Sequence, residues 1–258
     1  MNYAIGFLSA LIISALLIPL VKRFATSLGA VDNPKESLRK IHKGVMARGG
    51  GMAIYMSFVV VTIALASVFT KQYVGLLVAG TMVLIVGLAD DIKRLNPWAK
   101  LAVQIAAALV ASIGFGITIE TITNPFGATI VLTQANVNFV IMGLNLSFNW
   151  IAVALATFWM VGMTNTINFL DGIDGLSGGV SAIAGLIIFL LALSQKVNQP
   201  ETALLSIVLA GACIGFLIYN FYPAKIFNGD SGAYFLGMTL GILAIFSGAK
   251  LATAALVL

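Results

Sequence analysis

Residues 149–176 read NWIAVALATFWMVGMTNTINFLDGIDGL, an apolar run that ends in a polar, acidic segment. The run over about residues 149–167 is long enough to cross a membrane as a helix, which takes nearly 20 apolar residues. Asn165, Asn168, Asp171 and Asp174 then recur every third residue, so consecutive members are neighbours on a helix. Over its length the stripe drifts by roughly 180°, so one straight helix cannot turn all four side chains toward one ligand. The two glycines of the segment therefore predict a break, with the later aspartates on a turn.

Apolar runs of this kind recur along the whole chain. Of its 258 residues, 60% are hydrophobic and 9% are charged, whereas a soluble globular domain has about 25% charged residues. Runs that can span a membrane lie at about residues 3–20, 50–70, 73–89, 99–117, 149–167, 178–194, 202–220 and 232–248. We therefore predict an all-α integral membrane protein, a polytopic bundle of eight full transmembrane helices and the start of a ninth at 251–258. No internal repeat divides the chain, so residues 1–258 are predicted to be one transmembrane domain.

The two ends of the chain carry separate expectations. The first run has no basic stretch before it and is followed by Lys22 and Arg23, which favours a retained first helix over a removable signal peptide. The last run, Leu251 to Leu258, is too short to cross a hydrocarbon core of about 30 Å. We therefore expect the chain to be cut off inside a helix.

Basic residues predict the orientation. If the segments alternate in direction, eleven of the 14 Lys and Arg residues fall on one set of connections, and Lys71, Lys196 and Lys250 fall on the other. By the positive-inside rule the set of eleven is cytoplasmic, so the amino terminus lies outside. The protein is thus predicted to be a multi-pass membrane protein whose amino terminus lies outside. Topology and attraction to anionic membrane lipid account for much of this charge.

The external connection at about 118–148 carries a turn signature in Asn124, Pro125 and Gly127. The flanking stretches, Thr118 to Ile122 and Thr129 to Thr133, are rich in β-branched residues, which predicts a short β-hairpin. Since Glu120 is the only charged residue of this connection, we expect no catalysis there.

The acidic residues gather on the predicted cytoplasmic side. Six of the nine carboxylates stand at the ends of apolar runs there, namely Asp32, Asp90, Asp91, Asp171, Asp174 and Asp230. Asp and Glu contribute little to orientation, so topology does not explain them. Each group alone fits a solvated helix end or a helix cap. Adjacent carboxylates repel each other unless a cation lies nearby, and together the groups favour a site that holds a metal ion or handles phosphate.

The first cytoplasmic loop ends in three glycines, Gly49, Gly50 and Gly51, at the start of the second predicted helix. Such glycines permit close packing of helices. They also let backbone amides approach a phosphate. The sequence leaves both interpretations open.

Taken together, these motifs resemble the polyprenyl-phosphate N-acetylhexosamine-1-phosphate transferases, most closely the WecA/TagO-like bacterial branch that acts on UDP-N-acetylglucosamine. The resemblance runs from about residue 19 to residue 250. It rests on Asp32, Asn33, Pro34, Arg39, Lys40, His42 and Arg48 in the first loop, on Gly87 to Lys100, on Asn165 to Leu176 and on Asn220 to Gly232.

The resemblance implies a location in the bacterial inner (cytoplasmic) membrane, an activity, and roles for individual residues. The implied reaction is Mg²⁺-dependent transfer of N-acetylglucosamine 1-phosphate from UDP-N-acetylglucosamine to undecaprenyl phosphate, with release of UMP, for cell-envelope polysaccharide synthesis; Mn²⁺ is an alternative metal. Asn168 and Asp230 match the metal ligands. Asp90, Asp91, Lys100 and Asp171 match catalytic residues, and Asp174, Asn165, Arg48 and His42 match substrate-binding residues. Whether the acidic pair acts as a base or positions the substrate stays open.

Several alternatives remain at this point. Relatives continue through more helices and a loop that helps to bind the nucleotide sugar, and the resemblance implies that this domain lacks them. We therefore expect weakened or absent turnover if these residues are the whole molecule. A related MraY-like enzyme would take UDP-MurNAc-pentapeptide as donor, and an inactive truncated homologue would only bind nucleotide or lipid. A homodimer is also open. A transporter is disfavoured because its acids usually lie near the bilayer midplane. Nucleic-acid binding is disfavoured because few aromatic residues interleave the basic ones.

Overall fold

The computed structural model describes residues 2–34, 44–66, 69–122, 130–132, 136–141, 144–248 and 253. The described residues form eight apolar α-helices: α1 Tyr3–Ser27, α2 Gly51–Leu65, α3 Lys71–Lys93, α4 Pro97–Leu109, α5 Trp150–Leu170, α6 Leu176–Leu193, α7 Pro200–Asn220 and α8 Gly229–Phe246. A π-helical turn, Val110–Gly114, continues α4. Seven spans, with α4 and its π turn counted as one, are long and apolar enough to cross a membrane. The prediction of an all-α polytopic membrane protein is thus confirmed.

Helix α2 differs from its prediction. The sequence suggested a full span over about residues 50–70, whereas the helix has 15 residues and ends at Leu65. At about 1.5 Å per residue it is about 22 Å long, less than the thickness of the hydrocarbon core. The predicted ninth helix falls almost entirely outside the described residues.

The described residues also form three small antiparallel sheets. β1 (Val31–Asp32) pairs with β2 (Met46–Ala47) in the first loop. β3 (Thr121–Ile122) pairs with β4 (Ile130–Val131), as the hairpin prediction requires, although the turn residues Asn124, Pro125 and Gly127 lie outside the described residues. β5 (Asn136–Ile141) and β6 (Leu144–Asn149) form a second hairpin that the sequence analysis did not predict.

Helices α7 and α8 form the centre of the bundle. Within their apolar windows, 78% and 83% of the residues are buried inside the protein, compared with 28% for α1. α7 packs against α1 and α6, and α8 packs against α3 and α5. Because a transmembrane helix gains little from burying apolar side chains that lipid solvates equally well, close packing must hold this centre together.

Glycines provide that close packing around the first turns of α8. A β-carbon on Gly51 would overlap the backbone of Gly232, and one on Gly87 would lie 2.5 Å from the Ser231 backbone. The structure therefore favours the packing interpretation of Gly51 at the end of the first loop. It also brings the start of α2 and the end of α3 against the start of α8.

Candidate active site

The turn between α3 and α4 presents two predicted site residues. α3 ends where Arg94 takes a left-handed conformation with φ of 48°, and α4 begins with Asn96 as its cap, whose side chain accepts a hydrogen bond from the Trp98 amide. Across this turn, Asp90 Oδ1 accepts a hydrogen bond from the Leu95 amide at 2.6 Å. Asp90 Oδ2 accepts one from Lys100 Nζ at 3.0 Å.

Asp230, in the first turn of α8, joins three helices through its carboxylate. Oδ2 accepts hydrogen bonds from Lys100 Nζ of α4 at 3.3 Å and from the Tyr234 hydroxyl at 3.1 Å. Oδ1 accepts one from Asn168 Nδ2 of α5 at 3.0 Å. The structure thus brings together four residues that the sequence analysis singled out, Asp90, Lys100, Asn168 and Asp230.

Asp91 faces away from this cluster and toward the backbone of α8. Its Oδ1 accepts a hydrogen bond from the Asp230 amide at 2.9 Å. Its Oδ2 accepts two, from the Ser231 amide at 3.1 Å and the Ser231 hydroxyl at 2.8 Å. Adjacent positions on a helix point about 100° apart, which is why the two aspartates of the pair have different partners.

The predicted break after α5 is present and positions Asp171 and Asp174. α5 ends at Leu170, and Gly175 takes φ of 77° before α6 begins. Asp171 Oδ1 accepts a hydrogen bond from the Ser177 hydroxyl at 2.5 Å, and Oδ2 accepts one from the Gly229 amide at 3.2 Å. Asp174 Oδ2 accepts one from the Ala224 amide at 3.0 Å.

Burial changes the acidity of Asp171. Desolvation of its carboxyl group raises the pKa to about 7, against the opposing effect of the Ser177 hydrogen bond. Both carboxylate oxygens accept hydrogen bonds, from the Ser177 hydroxyl and the Gly229 amide, and the residue as a whole is partly buried. Asp171 therefore differs from a solvated acid at a helix end.

The remaining predicted residues lie around this cluster or outside the described part. Asn165 Nδ2 donates a hydrogen bond to Gln104 Oε1 of α4 at 2.7 Å. Arg48 forms an ion pair with Asp32 at 3.2 Å beside the β1–β2 sheet. His42 lies outside the described residues, so its place in the site stays a prediction.

The atoms of the cluster that could bind a metal fit a hard cation such as Mg²⁺. They are carboxylate oxygens and the amide oxygen of Asn168, which is left available because Asn168 donates to Asp230 through Nδ2. Mg²⁺ prefers oxygen ligands and typically takes one or two carboxylates together with waters and substrate phosphates. Among the described residues no group of three or more His, Cys, Asp or Glu is arranged to hold a metal.

Three site residues were missed by the sequence analysis. Tyr234 lies four residues after Asp230 on α8, and Gln104 lies four residues after Lys100 on α4; spacing of four residues places two side chains on one helix face. That spacing was a usable signal. Ser177 gave none, because its hydrogen bond to Asp171 depends on the geometry of the loop between α5 and α6.

Known proteins match most of this chain in sequence. The family model described as glycosyl transferase family 4 matches residues 73–248. A probable undecaprenyl-phosphate N-acetylglucosaminyl 1-phosphate transferase of Bacillus subtilis is 35% identical over 242 residues, which are 93% of this chain and 62% of that protein. The decaprenyl-phosphate N-acetylglucosaminephosphotransferase of Mycobacterium tuberculosis is 35% identical over 85% of this chain and 54% of its own length.

A third relative has a name that gives a different transferred group. The phospho-N-acetylmuramoyl-pentapeptide-transferase of Bacillus subtilis is 30% identical over 249 residues, which are 94% of this chain and 73% of that protein. Of the two N-acetylglucosamine-phosphate transferases described above, the chain spans only about half to three fifths of the length.

Proposed function

The chain belongs to glycosyl transferase family 4, and on that premise we propose that it transfers N-acetylglucosamine 1-phosphate from UDP-N-acetylglucosamine to undecaprenyl phosphate. UMP is the second product. Two relatives whose names give N-acetylglucosamine phosphate transfer to a polyprenyl phosphate are each 35% identical to the chain. The product would serve cell-envelope polysaccharide synthesis.

The observation that carries the proposal is the position of Lys100 between two carboxylates. Its ammonium lies 3.0 Å from Asp90 Oδ2 and 3.3 Å from Asp230 Oδ2. Phosphoryl transfer depends mainly on positioning the substrates and neutralising their charge, and a lysine ammonium binds phosphate as a point charge. We propose that Lys100 contacts the diphosphate of the donor and that Asp90 orients Lys100.

The reaction balances without a catalytic base. An oxygen of the lipid phosphate bonds to the phosphorus that carries the sugar, and the bond from that phosphorus to the oxygen shared with uridine phosphate breaks. UMP leaves with that oxygen. The acceptor is a phosphate monoester with a second pKa of about 6, so at neutral pH it is largely a dianion and needs no proton removed. This chemistry favours Asp90 as an orienting group.

Asp230 and Asn168 are the residues that we propose hold Mg²⁺, with Mn²⁺ as an alternative. The bound cation would neutralise the negative charge that develops on the diphosphate oxygens during transfer. The Tyr234 hydroxyl and Asn168 Nδ2 each bond one carboxylate oxygen of Asp230, which supports a fixed orientation of that carboxylate.

The other predicted roles follow the resemblance. Asp174, Asn165, Arg48 and His42 are proposed to contribute to binding of the nucleotide sugar, and Asp171 to catalysis. Contacts from Asp171 to Gly229 and from Asp174 to Ala224 join the loop after α5 to the segment before α8. This supports a common site for both acids.

We propose the bacterial cytoplasmic membrane as the location, with the amino terminus outside and the site at the cytoplasmic face. Most Lys and Arg residues belong to the connections at the site end of the bundle, which supports this orientation. A nucleotide sugar and the phosphate of a membrane lipid would meet there.

The test is a transfer assay in detergent with UDP-[¹⁴C]N-acetylglucosamine and undecaprenyl phosphate, with Mg²⁺ or with EDTA. The proposal expects labelled lipid with Mg²⁺ and none with EDTA. An inactive homologue that only binds nucleotide would give no labelled lipid while still binding UDP, and that pair of results would refute the proposal.

UDP-MurNAc-pentapeptide is the second candidate donor. The observation that favours it is the 30% identity to the pentapeptide transferase, of which the chain covers 73%. Supplying both donors at equal concentration and identifying the lipid product by mass spectrometry separates them. A product that carries the pentapeptide would assign the chain to the second activity.

A further inference from the structure

The first turn of α8 has no cap from its own chain segment. The first four amides of a helix have no acceptor within the helix. The residue at the cap position, Asn228, makes no side-chain capping hydrogen bond, and its backbone is itself helical with φ −59° and ψ −48°. Acceptors for these amides must come from elsewhere in the fold.

Two distant aspartates supply the acceptors. The Gly229 amide donates to Asp171, and the next two amides, of Asp230 and Ser231, donate to the two oxygens of Asp91. A carboxylate at this position also interacts favourably with the positive end of the helix dipole. Charge-assisted hydrogen bonds of this kind are about twice as strong as neutral ones.

The backbone shape at this turn matches the position of Asp91. Gly229 has φ of 79°, and a β-carbon there would lie 2.6 Å from Asp91 Oδ2. Gly87, one helical turn before Asp91 on α3, brings that helix face against Ser231 in the same way. Asp91 is 5% exposed, and both of its oxygens are engaged by α8.

We infer that Asp91 is a positioning residue that caps α8 and thereby fixes Asp230, rather than the catalytic residue that the family resemblance implies. The Asp230 amide donates a hydrogen bond to Asp91 Oδ1. The Asp230 carboxylate accepts hydrogen bonds from Asn168, Lys100 and Tyr234. Losing the cap shifts the backbone from which the Asp230 carboxylate projects. The catalytic consequence rests on the proposed function, whereas the capping itself does not.

Hydrogen exchange resolved to single amides tests the capping without substrate. In the unaltered protein the amides of Asp230 and Ser231 exchange slowly, because Asp91 is their acceptor. Asp91→Ala should speed both by about tenfold or more, the effect of losing a hydrogen bond. Asp91→Asn keeps one acceptor oxygen and should therefore leave one of the two amides protected from exchange. This variant tests the capping even if Asp91→Ala does not fold.

Asp90→Ala is the matched control, because Asp90 accepts hydrogen bonds from the Leu95 amide and Lys100 Nζ, whereas the Asp230 and Ser231 amides of α8 donate to Asp91. It should leave the exchange of both amides unchanged. Unchanged exchange of the Asp230 and Ser231 amides in Asp91→Asn, or equal acceleration in the Asp90 control, would overturn the inference.

Kinetics separate positioning from base catalysis. Asp91→Asn should lower kcat without removing a limb of the pH profile of kcat/KM. Ser231→Ala, which leaves the Asp91 carboxylate intact, should also lower kcat. Loss of a limb in Asp91→Asn together with full activity in Ser231→Ala would show a base and contradict positioning. A protein with no transferase activity but with faster exchange in Asp91→Ala would reject the proposed function and keep the cap.

Discussion

Lys100 and Asp230 are separated by 130 residues in the chain, and Lys100 Nζ lies 3.3 Å from Asp230 Oδ2. The same ammonium lies 3.0 Å from Asp90 Oδ2. One cation therefore joins the corner between α3 and α4 to the start of α8. The side chain of Lys100 is 21% exposed, so substrate can reach it.

Lys100→Met should reduce transfer strongly. The change removes the charge proposed to contact the diphosphate and leaves two carboxylates without their shared cation. We expect kcat to fall on the order of 10²-fold or more, as when one electrostatic contact to the transition state is lost. Steady-state kinetics measure this, with Lys93→Met at the exposed end of α3 as the control. Equal rates in the Lys100 variant and the control would remove Lys100 from the mechanism.

Asp230→Asn and Asn168→Ala should weaken metal binding. Both change oxygens proposed to hold Mg²⁺, and loss of a ligand raises the metal concentration needed for half-maximal rate. Titration of the transfer rate with Mg²⁺ measures that concentration, and titration with Mn²⁺ followed by electron paramagnetic resonance gives binding without turnover. Wild-type values in both variants would refute the ligand assignment.

Gly51→Ala should destabilise the bundle. A β-carbon on Gly51 would overlap the Gly232 backbone, so α2 and α8 must separate, and overpacking of this kind costs about 1–3 kcal/mol. Thermal unfolding in detergent measures the loss. The control is Gly162→Ala in α5, whose added β-carbon meets no atom within 4 Å. A midpoint for Gly51→Ala equal to that of the control would contradict the close packing.

Gln104→Ala should lower activity through Asn165. Gln104 is 1% exposed and accepts a hydrogen bond from Asn165 Nδ2 at 2.7 Å, which fixes α4 beside α5 and so fixes Lys100 relative to Asn168. A misplacement of about 1 Å at a reacting site can cost about 10²-fold in rate. A double-mutant cycle of kcat with Asn165→Ala tests the link. Fully additive effects would show that the two side chains act independently.

Cysteine labelling should reveal the orientation. Cys213 is buried, so in a Cys213→Ala background Ser27→Cys at the end of α1 and Gln195→Cys after α6 report opposite ends of the bundle. Intact cells treated with a membrane-impermeant maleimide should label position 195 and spare position 27. The reverse pattern would place the amino terminus in the cytoplasm and the site outside.

Much of the fold was predictable because polar residues and non-helical backbone are excluded from the lipid core, so they mark where the membrane helices end. The acidic segment after α5 and the turn around Asn96 end apolar runs where the helices end. The hairpin β5–β6 was missed, although polar Asn136 and Asn138 alternate there with apolar residues, and that period of two is typical of a strand. Its proximity to the long apolar run of α5 concealed it.

The sequence predicted that several of the clustered residues lie at one end of the bundle, but not their contacts. Orientation alone puts Asp90, Asn168 and Asp230 at one end of the bundle. The partners of Asp91 could not be read from the sequence, because they depend on how closely Gly87 lets α3 approach α8. The assignment of Asp91 to catalysis came from the resemblance and stays a prediction; in the structure its oxygens accept hydrogen bonds from two α8 amides and from the Ser231 hydroxyl.

The most direct test of the central claim uses UDP-N-acetylglucosamine labelled with ³²P in the phosphate that carries the sugar, undecaprenyl phosphate, and membranes containing the protein or its Asp230→Asn variant. The account predicts Mg²⁺-dependent transfer of the label to lipid with unlabelled UMP released, and little transfer by the variant. Label remaining in a released nucleotide, or equal transfer by both proteins, would contradict it.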